Sequence, residues 1–167
     1  MRPCGFSSVL LLFLLAFSST SAEAAIGIGA RSGLSGKVLS PTSDLENTHD
    51  TGYALGFTAQ GNLLFGALAL RSDAYWGRFG GKEISSAQGP VELDDLSFGT
   101  AAIGPFWRFT TLDVGVLAEY TWGDRSEWAA KPFANLNLRK LGIFAELRVG
   151  GDITWFGGGL TWYLFGF

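Results

Sequence analysis

Charged side chains occupy alternate positions in three largely apolar segments, residues 63–75, 113–122 and 141–150. Successive residues of a β-strand point to opposite faces, so these charges share the face opposite the apolar one. If this face lines the interior of a narrow β-barrel, the fold predicted below, its ionised groups are energetically costly unless they pair. Two cations and three anions at such positions predict a salt-bridged plug made of Arg71, Asp73, Glu119, Glu146 and Arg148.

The chain has one histidine, His49, in a polar stretch at residues 44–50. A serine nucleophile needs a nearby base such as histidine. Ser40 and Ser43 precede His49, but nothing in their spacing marks either as a nucleophile. We predict a solvated loop histidine and no enzymatic activity, which makes a lipid-modifying enzyme the least favoured function.

Metal and cofactor chemistry finds little support in the sequence. Glu92, Asp94 and Asp95 lie close together, but they are typical of solvated loop charges. The glycines at residues 157–159 are not followed by helical periodicity, as a phosphate-binding loop would require. The net charge of −3 and the absence of a basic cluster argue against nucleic acid as a partner. We predict neither a metal nor a cofactor.

The first 24 residues have the pattern of a cleaved signal peptide. Arg2 precedes an unbroken apolar run at residues 9–17, and Ala22-Glu23-Ala24 has the form that signal peptidase accepts. The apolar run is too short for a membrane-spanning helix, which needs about 20 residues. We therefore predict a signal peptide at residues 1–24 and a single barrel domain at residues 25–167. Cys4, the only cysteine, would leave with the signal.

The rest of the chain predicts an all-β fold. Charged residues make up 16 % of the sequence, against about 25 % in soluble domains. At residues 113–122 and 141–150, an apolar face alternates with one that carries glycine and charge. Eight such segments predict an eight-stranded antiparallel up-and-down transmembrane barrel, with strands near residues 25–32, 51–60, 63–75, 93–109, 113–122, 128–138, 141–150 and 158–167.

The connections between these segments alternate in length: those after even-numbered strands are short, and those after odd-numbered strands are longer. We expect tight turns at residues 60–62, 110–112 and 139–140, and long polar loops at residues 33–50 and 76–92. The connections after the fifth and seventh strands are intermediate in length. Membrane barrels show this asymmetry, with short turns on the periplasmic side and long loops outside. A soluble β-sandwich, the main alternative, has no reason to sort its loops in this way.

The last segment ends in aromatic residues at alternate positions, Tyr163, Phe165 and Phe167. This resembles the terminal signal by which the barrel-assembly machinery recognises outer-membrane proteins, and such aromatics would sit in the interfacial girdle. With these features together, the chain resembles the small eight-stranded outer-membrane barrels: the outer-membrane protein A transmembrane domain, the opacity-type proteins and the outer-membrane protein W group.

The resemblance implies a bacterial outer-membrane location, both termini in the periplasm, and contact with outer-membrane lipid and the assembly machinery. It does not imply one activity, because fold does not fix function. We expect a structural or surface-interaction role, with the long loops available to an extracellular ligand. The alternative is a narrow channel for small or hydrophobic solutes, which the resemblance to the W group permits.

Overall fold

The computed structural model describes residues 30–42, 44–62, 68–86 and 89–166. Within these residues the chain forms one short helix, α1 (Asp44–Thr48), and ten strands. The strands are β1 (Arg31–Pro41), β2 (His49–Asn62), β3 (Leu68–Gly81), β4 (Glu83–Ser86), β5 (Gly89–Glu92), β6 (Leu96–Phe109), β7 (Leu112–Gly123), β8 (Glu127–Leu138), β9 (Leu141–Arg148) and β10 (Trp155–Phe165). The predicted signal peptide lies outside the described residues.

Eight of the strands close into a barrel in which each strand pairs with the next barrel strand along the chain, and the first pairs with the last. All eight pairings are antiparallel, including the closing pair of β1 with β10. The remaining strands, β4 and β5, form a separate hairpin in the connection from β3 to β6. The prediction of an all-β, eight-stranded antiparallel barrel is confirmed.

The two faces of each strand differ as the alternation predicts. In β7, Leu117 and Glu119 are buried, while Val116 and Ala118, on either side of Leu117, are exposed. In β9, Phe144 and Glu146 are buried and Leu147 is exposed. The charged and glycine-bearing face therefore points into the barrel, and the apolar face points out.

The prediction for the first strand and first loop was wrong. Residues 33–41, expected in a long loop, belong to β1, and only residues 42–48 connect it to β2. The inward face of β1 carries Ser35 and Lys37, so the strand looks like a polar loop by composition. Residues 25–29 of the predicted first strand lie outside the described part of the chain.

The two ends of the barrel carry different connections. At one, which we call the turn end, residues 110–111 and 139–140 form two-residue turns. Thr110 and Arg139 adopt positive φ angles of 50° and 54° there. At the other, the loop end, lie α1, the β4–β5 hairpin and residues 124–126 and 149–154. The turn expected at residues 60–62 is instead part of β2, and residues 63–67 of the predicted third strand lie outside the described residues.

The last strand also differs from the expectation. The side chain of Tyr163 is buried inside the barrel, so it does not join an outer girdle. Phe165 is exposed, because the pairing with β1 shifts by one residue between Ser32 and Gly33. The shift leaves Leu164 as an extra residue in β10, and such a bulge changes which face the next side chain occupies. Phe167 lies outside the described residues.

The pairing between neighbouring barrel strands is interrupted at two prolines. The pairing of β8 with β9 stops beyond Phe133 and Glu146, and resumes in the same register at Ala130 and Val149. The pairing of β6 with β7 has a similar gap between Ile103 and Phe106. Pro132 lies in the first gap and Pro105 in the second, and proline has no N–H to give to a neighbouring strand.

Candidate functional site in the barrel interior

A group of ionised side chains fills the middle of the barrel. It consists of four cations and three anions from five strands, all nearly inaccessible to solvent: Lys37, Arg71, Lys131, Arg148, Asp73, Glu119 and Glu146. We call these seven residues the charge cluster. An eight-stranded barrel is just wide enough for side chains to fill its interior, so charges from facing strands come into contact.

Lys131 of β8 is the centre of the cluster. Its Nζ lies 3.1 Å from Asp73 Oδ2, 3.0 Å from Glu119 Oε2 and 3.7 Å from Glu146 Oε2. One lysine therefore faces a carboxylate from each of β3, β7 and β9. If the Lys131 ammonium group were removed, the three carboxylates would lose the cation that they share and would repel one another in a confined space.

Three other cations surround this centre. Lys37 Nζ donates a hydrogen bond of 2.5 Å to Glu146 Oε1, and Arg71 Nε donates one of 2.8 Å to Asp73 Oδ1. Arg148 Nε donates to Glu119 Oε1 at 3.0 Å. Each carboxylate thus has a second cation besides Lys131, and the cluster is a connected network, not a set of separate pairs.

Aromatic rings pack against two of these cations, Lys37 and Arg71. Lys37 Nζ lies 4.0 Å from the centre of the Tyr75 ring and 4.4 Å from that of Trp155. The Arg71 guanidinium lies 4.3 Å from the centre of the Phe133 ring. Cation–π contacts of this kind contribute more when they are desolvated, as they are here.

Arg148 connects the cluster to the loop end. Its Nη1 donates to Glu127 Oε1 at 2.7 Å and also to the carbonyl of Ile153. The Glu127 carboxylate in turn accepts hydrogen bonds from the backbone N–H of Asp152 at 2.6 Å and of Ile153 at 2.8 Å. The loop at residues 149–154 is thus fixed by one carboxylate. With Glu127 included, four anions balance the four cations.

Burial alone would raise the pKa of Glu127, but the N–H groups of Asp152 and Ile153, together with Arg148, hold it below its usual value. A carboxylate with a lowered pKa stabilises the fold above its unfolded pKa, about 4.3 for Glu, and loses this effect as the pH falls through the folded value. We expect Glu127→Gln to be less stable than the wild type by roughly 1–2 kcal/mol at pH 7. Unfolding in detergent at pH 7 and pH 3 measures this difference, which should shrink at pH 3.

The matched control for this prediction is Glu83→Gln, in the exposed hairpin. It should show no pH-dependent difference from the wild type. A Glu127→Gln difference of the same size at both pH values would mean that the charge of Glu127 does not hold the loop.

Polar side chains close the interior on the turn-end side of the cluster. Arg108 forms an ion pair with Asp113, 2.8 Å between Nε and Oδ1, and its Nη2 donates to Gln60 Oε1 at 2.9 Å. The Tyr163 hydroxyl donates to Asn137 Oδ1 at 3.0 Å. The hydroxyl group explains why Tyr163 faces inward, since it finds its partners there.

Apolar side chains close the interior on the loop-end side. Leu45 of α1 and Ile153 of the 149–154 loop join a buried group contributed otherwise by the strands: Leu39, Ala54, Tyr75, Phe79, Leu96, Phe98 and Trp155. We call this group the apolar cap. The Phe79 and Phe98 rings stack, with 5.4 Å between their centres. The barrel interior is therefore filled at three successive levels.

All five charges predicted from the sequence are buried in the barrel, and the structure brings them into one network. Glu146 forms its ion pairs with two lysines outside the predicted plug, Lys37 and Lys131. Sequence reasoning missed both lysines. Lys131 alternates with Phe133 and Asn135 on the inward face of β8, and this alternation could have revealed it.

The other candidate groups lie at the loop end. His49 is the first residue of β2, and its Nδ1 lies 2.8 Å from the Thr48 hydroxyl. Asp95 accepts a hydrogen bond from Arg78 and another, at 2.8 Å, from the Gly81 N–H. Among the described residues, no three histidine, cysteine or acidic side chains are grouped so that they could hold a metal ion.

Two comparisons with known proteins found no match. No protein-family model matches the chain, and no curated protein sequence matches it.

Proposed function

We propose that this chain is an integral outer-membrane barrel whose interior is closed by the charge cluster, and that its role is structural or surface-interacting. The observation that carries the proposal is the inverted distribution of side chains. Ion pairs are buried inside, while large apolar side chains are exposed on all eight barrel strands. Water-soluble monomers rarely expose large contiguous apolar patches, whereas a lipid-facing barrel needs an apolar outer band.

Exposed aromatic side chains lie towards both ends of the barrel, which further supports a membrane location. Towards the loop end these are Tyr53, Trp76, Trp128 and Phe156, and towards the turn end Trp107, Phe109, Trp162 and Phe165. Membrane barrels carry such aromatic girdles at both interfaces.

The height of the apolar band fits a bilayer. Exposed side chains on β8 extend from Trp128 to Leu138. Ten residues of strand span about 33 Å, and at a tilt near 40° this is about 25 Å of membrane thickness. This is the height of the apolar band of outer-membrane barrels.

The orientation and location can be tested with single cysteines, in a variant without Cys4. Ser126→Cys, at the loop end, should react with a membrane-impermeant maleimide on intact bacterial cells that express the protein. Thr111→Cys, at the turn end, should react only after the outer membrane is permeabilised. Recovery of the protein in the soluble fraction, or equal labelling of both cysteines in intact cells, would contradict the proposal.

The closed interior favours a structural role over the narrow channel that we consider second. Planar-bilayer recordings of the wild-type protein should show little or no steady current, because the charge cluster lies in the barrel interior between the apolar cap and the turn-end polar groups. Sustained ion-selective current from the unmodified protein would favour the channel.

A further inference from the structure

The outer wall of the barrel has an open apolar groove that the proposed function does not use. The groove has a volume of about 440 Å³ and lies across β7, β8 and β9. Trp107 and Phe156 lie at its margins, and the small side chains of Ala134 and Ala145 leave the space between them. Pro132 lies within the groove.

A backbone acceptor in this groove lacks its partner within the sheet. Ala130 and Val149 exchange both of their hydrogen bonds, 2.9 Å and 2.8 Å in length. In an antiparallel ladder such mutual pairs recur at every second residue, so the next pair is Pro132 with Leu147. Proline has no N–H, and the carbonyl of Leu147 therefore receives no hydrogen bond from β8. Both residues line the groove.

The Leu147 carbonyl is surrounded by apolar side chains that the proposed function places against lipid. The side chains of Val114, Val116 and Leu147 around the groove belong to the exposed apolar band. In the hydrocarbon region no water is present to satisfy a free carbonyl, so an unpaired carbonyl there is strongly unfavourable. A molecule that suits the groove must therefore be apolar over most of its length and carry one hydrogen-bond donor.

We propose that the groove binds a single hydrocarbon chain that bears an amide N–H or hydroxyl donor, with the donor bonded to the Leu147 carbonyl. This site rests on the proposed membrane location. Its occupant is a lipid chain of the bilayer itself and not a transported solute, because the charge cluster lies directly behind the wall, where Glu146 points inward from β9.

The test uses two photoreactive probes in vesicles of phosphatidylcholine, a lipid without N–H or O–H donors. One probe is a sixteen-carbon secondary amide with a diazirine in its chain, and the other is its N-methyl tertiary amide. After irradiation, mass spectrometry measures crosslinking to residues 132–147. The secondary amide should crosslink there about threefold to tenfold more than the tertiary amide, the range that one net hydrogen bond gives.

Two variants separate the hydrogen bond from the shape of the groove. Pro132→Ala gives Leu147 an N–H partner from the protein, so the preference for the secondary amide should disappear. Ala145→Phe fills the groove and should lower crosslinking of both probes several-fold. Ala59→Phe, at an exposed position of β2, is the matched control and should leave crosslinking at residues 132–147 unchanged.

Equal yields from the two probes in the wild type, or an unchanged preference in Pro132→Ala, would overturn the site. So would crosslinking spread evenly around the wall, which indicates ordinary bilayer contact. Flotation of the barrel with the vesicles is measured in the same samples. A barrel that floats but shows no preference contradicts only this site, whereas a barrel that fails to insert contradicts the membrane proposal.

Discussion

Replacing Lys131 with methionine is expected to lower the free energy of unfolding by about 3–5 kcal/mol, the usual effect of removing one partner from a buried ion pair. Methionine retains most of the side-chain volume but leaves Asp73, Glu119 and Glu146 without their shared cation. Denaturant unfolding of the purified protein in detergent micelles measures the loss. The same variant should show intermittent current in planar bilayers, because repulsion between the carboxylates loosens the charge cluster.

The control for this result is Lys82→Met at the loop end. Lys82 Nζ lies 3.7 Å from Asp50, and both side chains are accessible to solvent, so the cost should be about 1 kcal/mol or less. Adding Glu119→Gln to Lys131→Met should recover part of the lost stability by removing one unpaired charge. A Lys131→Met protein as stable as the wild type would show that the network contributes nothing at its centre.

Replacing Ile103 with arginine is expected to cost about 2–4 kcal/mol of folding free energy in vesicles, or to prevent insertion. Ile103 is exposed in the middle of β6, on the face that the proposal places against hydrocarbon. The measurement is folding into phosphatidylcholine vesicles, followed by the shift in electrophoretic mobility of the unheated barrel. Glu83→Arg, in the exposed hairpin, should insert like the wild type. Equal insertion of both variants would remove the argument for a lipid-facing wall.

The alternation of side chains predicted most of the fold, and its failures share a physical cause. Strands β7 and β9 were predicted within a few residues, because one face is apolar and the other carries charge. Strand β1 was missed because its inward face is polar and its outward face includes Gly36 and Ser40, so little apolar signal remains. In a barrel whose inside is polar, hydropathy alone cannot distinguish such a strand from a loop.

The candidate site was predictable only in part. The charges of β3, β7 and β9 could be placed inside because alternation fixes the face of each side chain. Which charges pair depends on how the strands are staggered around the barrel, and this stagger is not visible in local sequence. The different faces of Tyr163 and Phe165 were unpredictable for a similar reason, since they depend on the bulge at Leu164.

The pairing of β1 with β10 makes the arrangement of strands circular. Ser32 pairs with Phe165, and the hydroxyl groups of Ser35 and Thr161 are 2.7 Å apart although 126 positions separate them in sequence. The start of β1 and the end of β10 therefore lie side by side at the turn end. A short linker between them, with the chain opened at residues 110–111, would preserve every strand neighbour. The order in which the strands are synthesised is thus separable from the architecture that they form.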